Sequence, residues 1–363
     1  MIPRISQADI AHMAGVHPTT VSLSLRNSPA IPAATRKRIR GIAEKLGYRP
    51  DPALQALIAY RRNRTPIHRQ TTIAYLTNWD TRWGWRKAPA HERFHAGATR
   101  KADELGYHLE HFWLSEPGIS HAQLSRILIH RGISGVLLAS HLPSCDHLND
   151  FDWSRFSAVR IDCFPHFPAL RHVTNDQRAV IRLVMRRILD AGYQRIGFVM
   201  PRWWDAVVDL SWSAGFLAEQ ARLRASDRIP LLLYDNDQVT AMSSRDPSSA
   251  AVPVDRFAKW YRRFRPDVVV SYAPFVLPTL STLGLSVPED VAYADIFLTN
   301  KDGALAGVHQ NCEQVGEIAM ELLASDLHQN IRGLPVVPTA TLVEGAWIDG
   351  SSLPHAVLEA AAS

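Results

Sequence analysis

The chain has 363 residues, 46% of them hydrophobic, and a formal net charge of +5. That length accommodates a small module beside a large α/β body, and no apolar run reaches the length of a membrane-spanning helix. Three widely spaced cysteines, Cys145, Cys163 and Cys312, fit no zinc or disulfide pattern, and no leader precedes the first helix. A cytoplasmic chain without metal or cofactor is therefore expected, with buried thiols.

The charge is unevenly placed. Residues 1–70 hold 12 Lys and Arg against 3 Asp and Glu, near +9, and the remainder is near −4. Ser6, with Asp9 three residues on, predicts a capped first helix whose inner stripe is Ile10, Ala11 and Ala14. Gly15 suits the left-handed residue of a tight turn, and Pro18 the first turn of a second helix. Val21 and Leu25 face inward there, which leaves Pro18, Thr19, Ser22, Leu23 and Arg26 outward. Two short helices joined in this way form a helix-turn-helix, and the basic setting points to DNA phosphates. Pro32 starts a third helix, in which Arg36, Lys37, Arg38 and Arg40 surround Ile39, Ile42, Ala43 and Leu46; Gly47-Tyr48 ends it. Asp51 then caps a fourth helix from Pro52, with Leu54, Leu57 and Ile58 on one face. That face suits either packing on its own domain or leucine wedges in a minor groove.

Arg61 to Gln70 is basic and apolar-poor, and reads as a linker. Beyond it strands and helices alternate. Strands are predicted over Thr72–Thr77, Gly135–Ala139, Ala158–Ile161, Ile196–Met200, Leu231–Tyr234, Val268–Ser271 and Val291–Ala294. Helices are predicted over Gln123–His130 and Ala179–Ala191, with another ending at Leu105. Such alternation implies two parallel sheets covered on both faces, with ligands at the carboxyl ends of the strands. Two of those loops hold six tryptophans: Trp79, Trp83 and Trp85 in one, Trp203, Trp204 and Trp212 in the other. Facing each other across a cleft they suit stacking on sugar rings; the same rings suit lid packing or a subunit contact. His91-Glu92-Arg93-Phe94-His95 spells HExxH, the zinc-hydrolase motif, but no third ligand extension follows. His91 and Arg93 read better as ligand contacts.

The stretch from Ile5 to Leu57, with its GV..TTVS run, its IP..TR..I stretch and its GYRPDP stop, closely resembles the lac-repressor/galactose-repressor family of bacterial transcription regulators. The body resembles that family's effector domain more loosely, through VTNDQRAV…LDAGYQRIGFV (173–199), VPEDVAYA (287–294), LAGVHQNCEQVGEIAMELL (305–323) and a closing strand TLVEGAW (341–347). The resemblance implies a helix-turn-helix head over 1–50, a hinge helix and linker over 51–70, and a two-lobed body like periplasmic sugar-binding proteins over 71–350. The lobes would be interleaved with crossovers near 174, 304 and 337, and 351–363 would be a tail. It implies a regulator, of the repressor kind, that binds a near-palindromic operator of double-stranded DNA as a homodimer and answers a small molecule, a sugar or sugar derivative. It carries DNA contacts onto Ser6, His17, Pro18, Thr19, Thr20, Ser22, Leu23, Arg26, Asn27, Arg36, Tyr48, Leu54 and Leu57. Effector contacts fall on Trp79, Trp83, Trp85, His91, Arg93, Asp176, Trp203, Trp204, Trp212 and Asp295. Four departures bear on specificity: Leu23 stands where an arginine is common in the reading helix, Leu54 where a small residue is usual in the hinge, Trp212 where an arginine is common in the cleft, and Asp295 near a common cleft aspartate but out of register with it. Readings from other classes are a regulator without a small ligand and a zinc hydrolase built on HERFH.

Overall fold

The computed structural model describes residues 5–48, 71–139, 148, 150–164, 167–235 and 250–355. The expected fourth helix with Leu54 and Leu57, the linker and Cys145 lie outside these residues.

Three helices make the head: α1 (Gln7–Ala14), α2 (Pro18–Leu25) and α3 (Ala33–Lys45). Ser6 and Asp9 form the reciprocal capping box, and Gly15 takes the left-handed conformation, φ 63°. The core is Ile10, Ala11, Ala14, Val21, Ile39 and Ala43, with Ile5, Val16, Leu25, Ile42, Leu46 and Tyr48 packed around it. Pro32 stands one residue earlier than expected, as the N-cap of α3.

The body is two doubly wound lobes. Lobe 1 has a parallel sheet in the order β11-β5-β4-β3-β1-β2. Its strands are β1 (Thr71–Thr77), β2 (Tyr107–Trp113), β3 (Gly135–Leu138), β4 (Ser157–Ile161), β5 (His172–Asn175) and β11 (Ala340–Val343). Lobe 2 repeats the pattern, β12-β10-β9-β8-β6-β7, with β12 antiparallel to β10. Here the strands are β6 (Ile196–Pro201), β7 (Leu232–Tyr234), β8 (Val268–Ser271), β9 (Ala292–Asp295), β10 (Ala306–His309) and β12 (Ala346–Ile348). The central strands are buried on both faces, as parallel sheets between helices require. In each sheet the strand order reverses beside the first strand, β1 or β6, which opens a crevice at the carboxyl ends.

Two helices of lobe 1 matter for the site: α4 (Pro89–Glu104) and α11 (Cys312–Gln329). In lobe 2 they are α6 (Gln177–Asp190), the short α7 (Arg202–Ala206), α8 (Ser211–Gln220) and α10 (Ala273–Thr282). (The helix His121–His130 is α5, and Val254–Phe264 is α9.) α4 and α11 cross so closely that a Cβ on Gly97 would lie 1.9 Å from the carbonyl oxygen of Glu313.

The chain crosses between lobes after Asn175, after His309 and after Val343. The second and third crossings come later than expected because β10 and β11 must first complete their pairing. The expected closing strand TLVEGAW is two strands, one in each lobe, divided at Gly345. The tail also begins later than 351: Ser352 is buried, and its Oγ accepts from Ala306 N and donates to Tyr293 O.

Candidate functional site

In the head, His17 caps α2 through Nδ1, which accepts from Thr19 N at 3.3 Å and meets Thr19 Oγ1 at 3.0 Å. His17, Pro18 and Thr19 are exposed at the N-terminal end of α2. Thr20, Ser22 and Leu23 are half-buried, and Arg26 folds back so that its guanidinium donates to Ser22 Oγ at 2.5 Å. Asn27 is left-handed, φ 58°, and its carbonyl accepts from Asn330 of lobe 1. Two expected contact residues brace the head instead of standing free. Arg36 donates to Ser28 O at 2.7 Å, and the Tyr48 hydroxyl accepts from Gln7 at 3.1 Å. Arg38 likewise donates to Ala14 O at 3.1 Å, while Lys37 and Arg40 remain exposed on α3.

The body's cleft lies where the switch points of the two sheets meet. Lobe 1 supplies Trp79, Ala88, Pro89, Ala90, His91, Phe94, Asp162 and Asn175; lobe 2 supplies Gln177, Trp204, Val207, Val208, Trp212 and Phe297; and Gln310 lies on the second crossing. The enclosed cavity is about 40 Å3, with about 550 Å3 of empty space when the open mouth is included. The smaller figure is the enclosure: room for two or three waters, well under the roughly 300 Å3 of a ligand pocket. A ring-sized ligand therefore requires the lobes to part.

The floor is polar and bonded to itself. Asn175 Nδ2 donates to Gln310 O at 2.5 Å, Gln177 Nε2 to Gln310 Oε1 at 3.0 Å, and Gln310 Nε2 to Ile296 O at 2.8 Å. On the lobe 1 wall, Asp162 Oδ1 accepts from Cys163 N and Thr174 Oγ1, and Oδ2 faces His91 Nε2 at 3.6 Å. Burial, with the Asp162 charge adding to it, pushes the Cys163 thiol up to about 12. The lobe 2 wall is aromatic. Trp212 is fixed by its Nε1 donating to Gln177 Oε1 at 2.7 Å, and Trp204 lies within 14° of parallel to it, centroids 6.2 Å apart.

Of the ten residues expected at the effector site, Trp79, His91, Trp204 and Trp212 line this cleft. The other six are placed elsewhere. Trp83 is 47% exposed under the Arg86 guanidinium, 4.4 Å from its centroid. Trp85 is buried against Tyr75, His95 and His111. Trp203 packs edge-on to Trp204. Arg93 reaches across to lobe 2, donating to Thr299 O, with Glu313 3.8 Å away. Asp176 caps α6 by accepting from Ala179 N at 2.8 Å. Asp295 is a buried brace that accepts from Ala273 N, Phe297 N and the Tyr293 hydroxyl; burial raises its carboxyl to about 6. Conversely, Phe94, Asp162, Asn175, Gln177, Phe297 and Gln310 line the cleft without having been singled out. Their signal was position, since most directly follow a strand's carboxyl end or sit at a crossing.

The HERFH histidines part company. His91 faces the cleft, whereas His95 sits in the lobe 1 core against Tyr75 and Trp85, held down to about 4 by burial and the Arg86 charge. Among the described residues no three His, Cys, Asp or Glu side chains converge as metal ligands. Nor is any described helix long and apolar enough to cross a membrane.

Residues 7–51 match the family described as bacterial regulatory proteins, lacI family. The HTH-type transcriptional regulator GalR of Escherichia coli (strain K12) is 24% identical over 196 residues, 53% of this chain and 52% of that one. The chain thus spans about half the length of the curated relatives it matches. Among solved structures, the transcriptional regulator CelR–cellobiose complex superposes with a TM-score of 0.58 at 20% identity, covering 96% of this chain and 100% of that one. The lac repressor dimer bound to operator and the anti-inducer ONPF gives 0.54 at 16%, covering 97% and 100%. Both share the arrangement of a head on a two-lobed body.

Proposed function

We propose that this chain, whose residues 7–51 match the lacI family of bacterial regulatory proteins, is a cytoplasmic, dimeric transcriptional regulator. It binds a near-palindromic operator and answers a small carbohydrate in the interlobe cleft. The carrying observation is the free outer end of α2, His17 to Thr19, on a head packed as its family requires. That end presents a capped helix N-terminus to a major groove, with Ser22 and Leu23 behind it and the α3 cations available to phosphates. Leu23 offers hydrocarbon where an arginine would read guanine, which suits a thymine methyl. Arg36 and Tyr48 serve by holding the head's shape.

The relatives support the remaining parts. The lac repressor structure is a dimer on its operator, and two-fold symmetry calls for a palindrome with the hinge segments at its centre. The CelR structure holds cellobiose. The cleft gives a physical route for control. At about 40 Å3 enclosed, it admits a sugar only with altered lobe separation, so binding and lobe arrangement are linked, and operator affinity shifts by the ligand's preference between arrangements. In this reading the role is non-catalytic, in line with relatives described as transcriptional regulators.

Selection from random duplex DNA by the full-length protein tests the reading. Enrichment of a palindrome with half-sites about one helical turn apart is expected; enrichment without two-fold symmetry would sink it. A flat thermal-shift response across a broad panel of sugars would leave the DNA function and remove the carbohydrate.

A further inference from the structure

Resting on the reading that the lobe arrangement sets operator affinity, we propose that Arg93 is a two-position latch between the lobes. Bonded to Thr299 it holds the cleft closed. Released, it falls back onto Glu313 of its own lobe and leaves the cleft open.

The bond joins two fixed points. Arg93 lies on α4 beside Phe94, whose carbonyl oxygen would stand 2.0 Å from a Cβ on Gly316 of α11. Helices that cross so closely cannot slide, so the root of the arginine side chain is set by backbone packing. Its partner in lobe 2 is held as firmly. Leu298 N donates to Val308 O at 2.9 Å and Ile296 N to Ser271 O at 3.0 Å, which ties the segment carrying Thr299 to β10 and β8. Between these anchors Arg93 Nη2 donates to Thr299 O at 3.2 Å.

That bond is sensitive to opening. Phe94, next to Arg93, and Phe297, two residues before Thr299, line the cleft from opposite lobes. Any rotation that separates the two phenylalanines carries Arg93 away from Thr299, because each pair shares one anchored segment. A bond of 3.2 Å is lost once it stretches by a few tenths of an ångström. Enlarging an enclosed space of about 40 Å3 to the roughly 300 Å3 of a ligand pocket takes far more. A ring-sized ligand that enters must therefore break the latch.

Glu313 gives the released guanidinium somewhere to go. Its Oε1 lies 3.8 Å from Arg93 Nε, just beyond hydrogen-bond range, and the two side chains are 25% and 38% exposed for Arg93 and Glu313. A small change of rotamer brings cation and carboxylate into direct contact. A carbonyl of lobe 2 and a carboxylate of lobe 1 thus compete for one cation. Two discrete partners give two lobe arrangements in place of a continuum, and the balance between them scales the affinity of every ligand that needs the open one.

Double electron–electron resonance on the full-length protein tests this. Nitroxides are placed on Ser154→Cys of lobe 1 and Leu217→Cys of lobe 2, both exposed positions. The background carries Cys145→Ser and Cys163→Ser, and labelled chains are diluted in unlabelled ones. Arg93→Met, which keeps the stem and loses the donors, should shift the interlobe distance to longer values. Glu313→Gln, which weakens the fallback partner, should shift it to shorter ones. In gel shifts with the palindrome enriched from random DNA, the two variants should change affinity in opposite directions, by about fivefold or more each; melting curves report folding. A distance unchanged in either variant overturns the latch. Lengthening in both overturns it too, since that signals a loosened α4–α11 crossing. Opposite distance shifts with operator affinity unmoved keep the latch and overturn the lobe-to-head control proposed above.

Discussion

The tightest contact in lobe 1 makes the most exacting prediction. Gly97 on α4 faces Gly316 on α11, and a Cβ added to Gly316 would lie 2.0 Å from Phe94 O and 2.7 Å from Ala98 N. Both are backbone atoms, so no rotamer change relieves the clash. Reaching even 3.0 Å from Phe94 O takes a shift of about 1 Å between helices, which is large for a close-packed interior. That shift loosens Phe94, Ala98 and Ala102 from Val315, Ala319 and Leu323, all members of one core. Overpacking against two backbone atoms falls in the upper part of the usual range, about 2–3 kcal/mol, partly offset by the roughly 1 kcal/mol gained when alanine replaces glycine in a helix. Gly316→Ala should therefore destabilise the body by about 1–2 kcal/mol, lowering its melting temperature by about 2–8 °C. Urea and thermal unfolding, followed by tryptophan fluorescence, measure it. The double variant with Gly97→Ala should cost less than the two singles added, because one separation admits both methyls. A stability unchanged within about 0.5 kcal/mol, or strictly additive losses, would refute the shared crossing.

Four further outcomes are expected. Ile39→Ala removes a wholly buried side chain from a small core and should cost the head about 3 kcal/mol; calorimetry should show the body's transition unmoved while specific DNA binding disappears. Asp176→Ala should cost about 1 kcal/mol as a lost helix cap and leave sugar affinity within twofold, measured by titration; a large affinity loss would instead place Asp176 at the ligand. Leu57→Ala should weaken specific binding far more than non-specific binding, which is mainly counterion release; equal losses in gel shifts would deny the wedge. His95 and His111 are both held down to about 4, chiefly by burial. Being neutral in the fold, they contribute stability that is present above about pH 6.5 and lost as pH falls through about 4. His95→Phe should shrink the drop in urea midpoint between pH 7 and 4.5; an undiminished drop would assign acid sensitivity elsewhere.

The head was legible because its signals are local. A capping box, a left-handed glycine and a helix-starting proline act within a few residues of chain, and each of Ser6, Gly15 and Pro18 took the expected place. The short β5 and β10 were not set apart as strands, whereas β1, β3, β4, β6, β7, β8 and β9 were legible from their apolar runs. β2, on the edge of lobe 1, was not, because Glu110 and His111 stand side by side in Tyr107–Trp113 and break both an apolar run and a clean alternation. At the cleft, loop position could be read but side-chain direction could not. Trp79 and Trp85 share a loop, yet one lines the cleft and the other turns into the core. Asp176 and Gln177 are neighbours, yet the first caps a helix and the second lies on the floor. Asp295 stands at a strand end as expected, but three donors from its own lobe claim its oxygens.

The three crossings are stitched to one another: Asp176 N donates to Val343 O, Asn175 Nδ2 to Gln310 O, and Asn311 Nδ2 to Glu344 O. Segments tied side by side bend together but resist sliding and twisting, so the lobes have one easy motion, a rotation about the line of the ties. Ligands of quite different shape then differ to the rest of the molecule only in the angle at which they hold that rotation. An activating compound and an antagonist would be two settings of one dial, and chemical diversity at the cleft would reach the DNA as a single number.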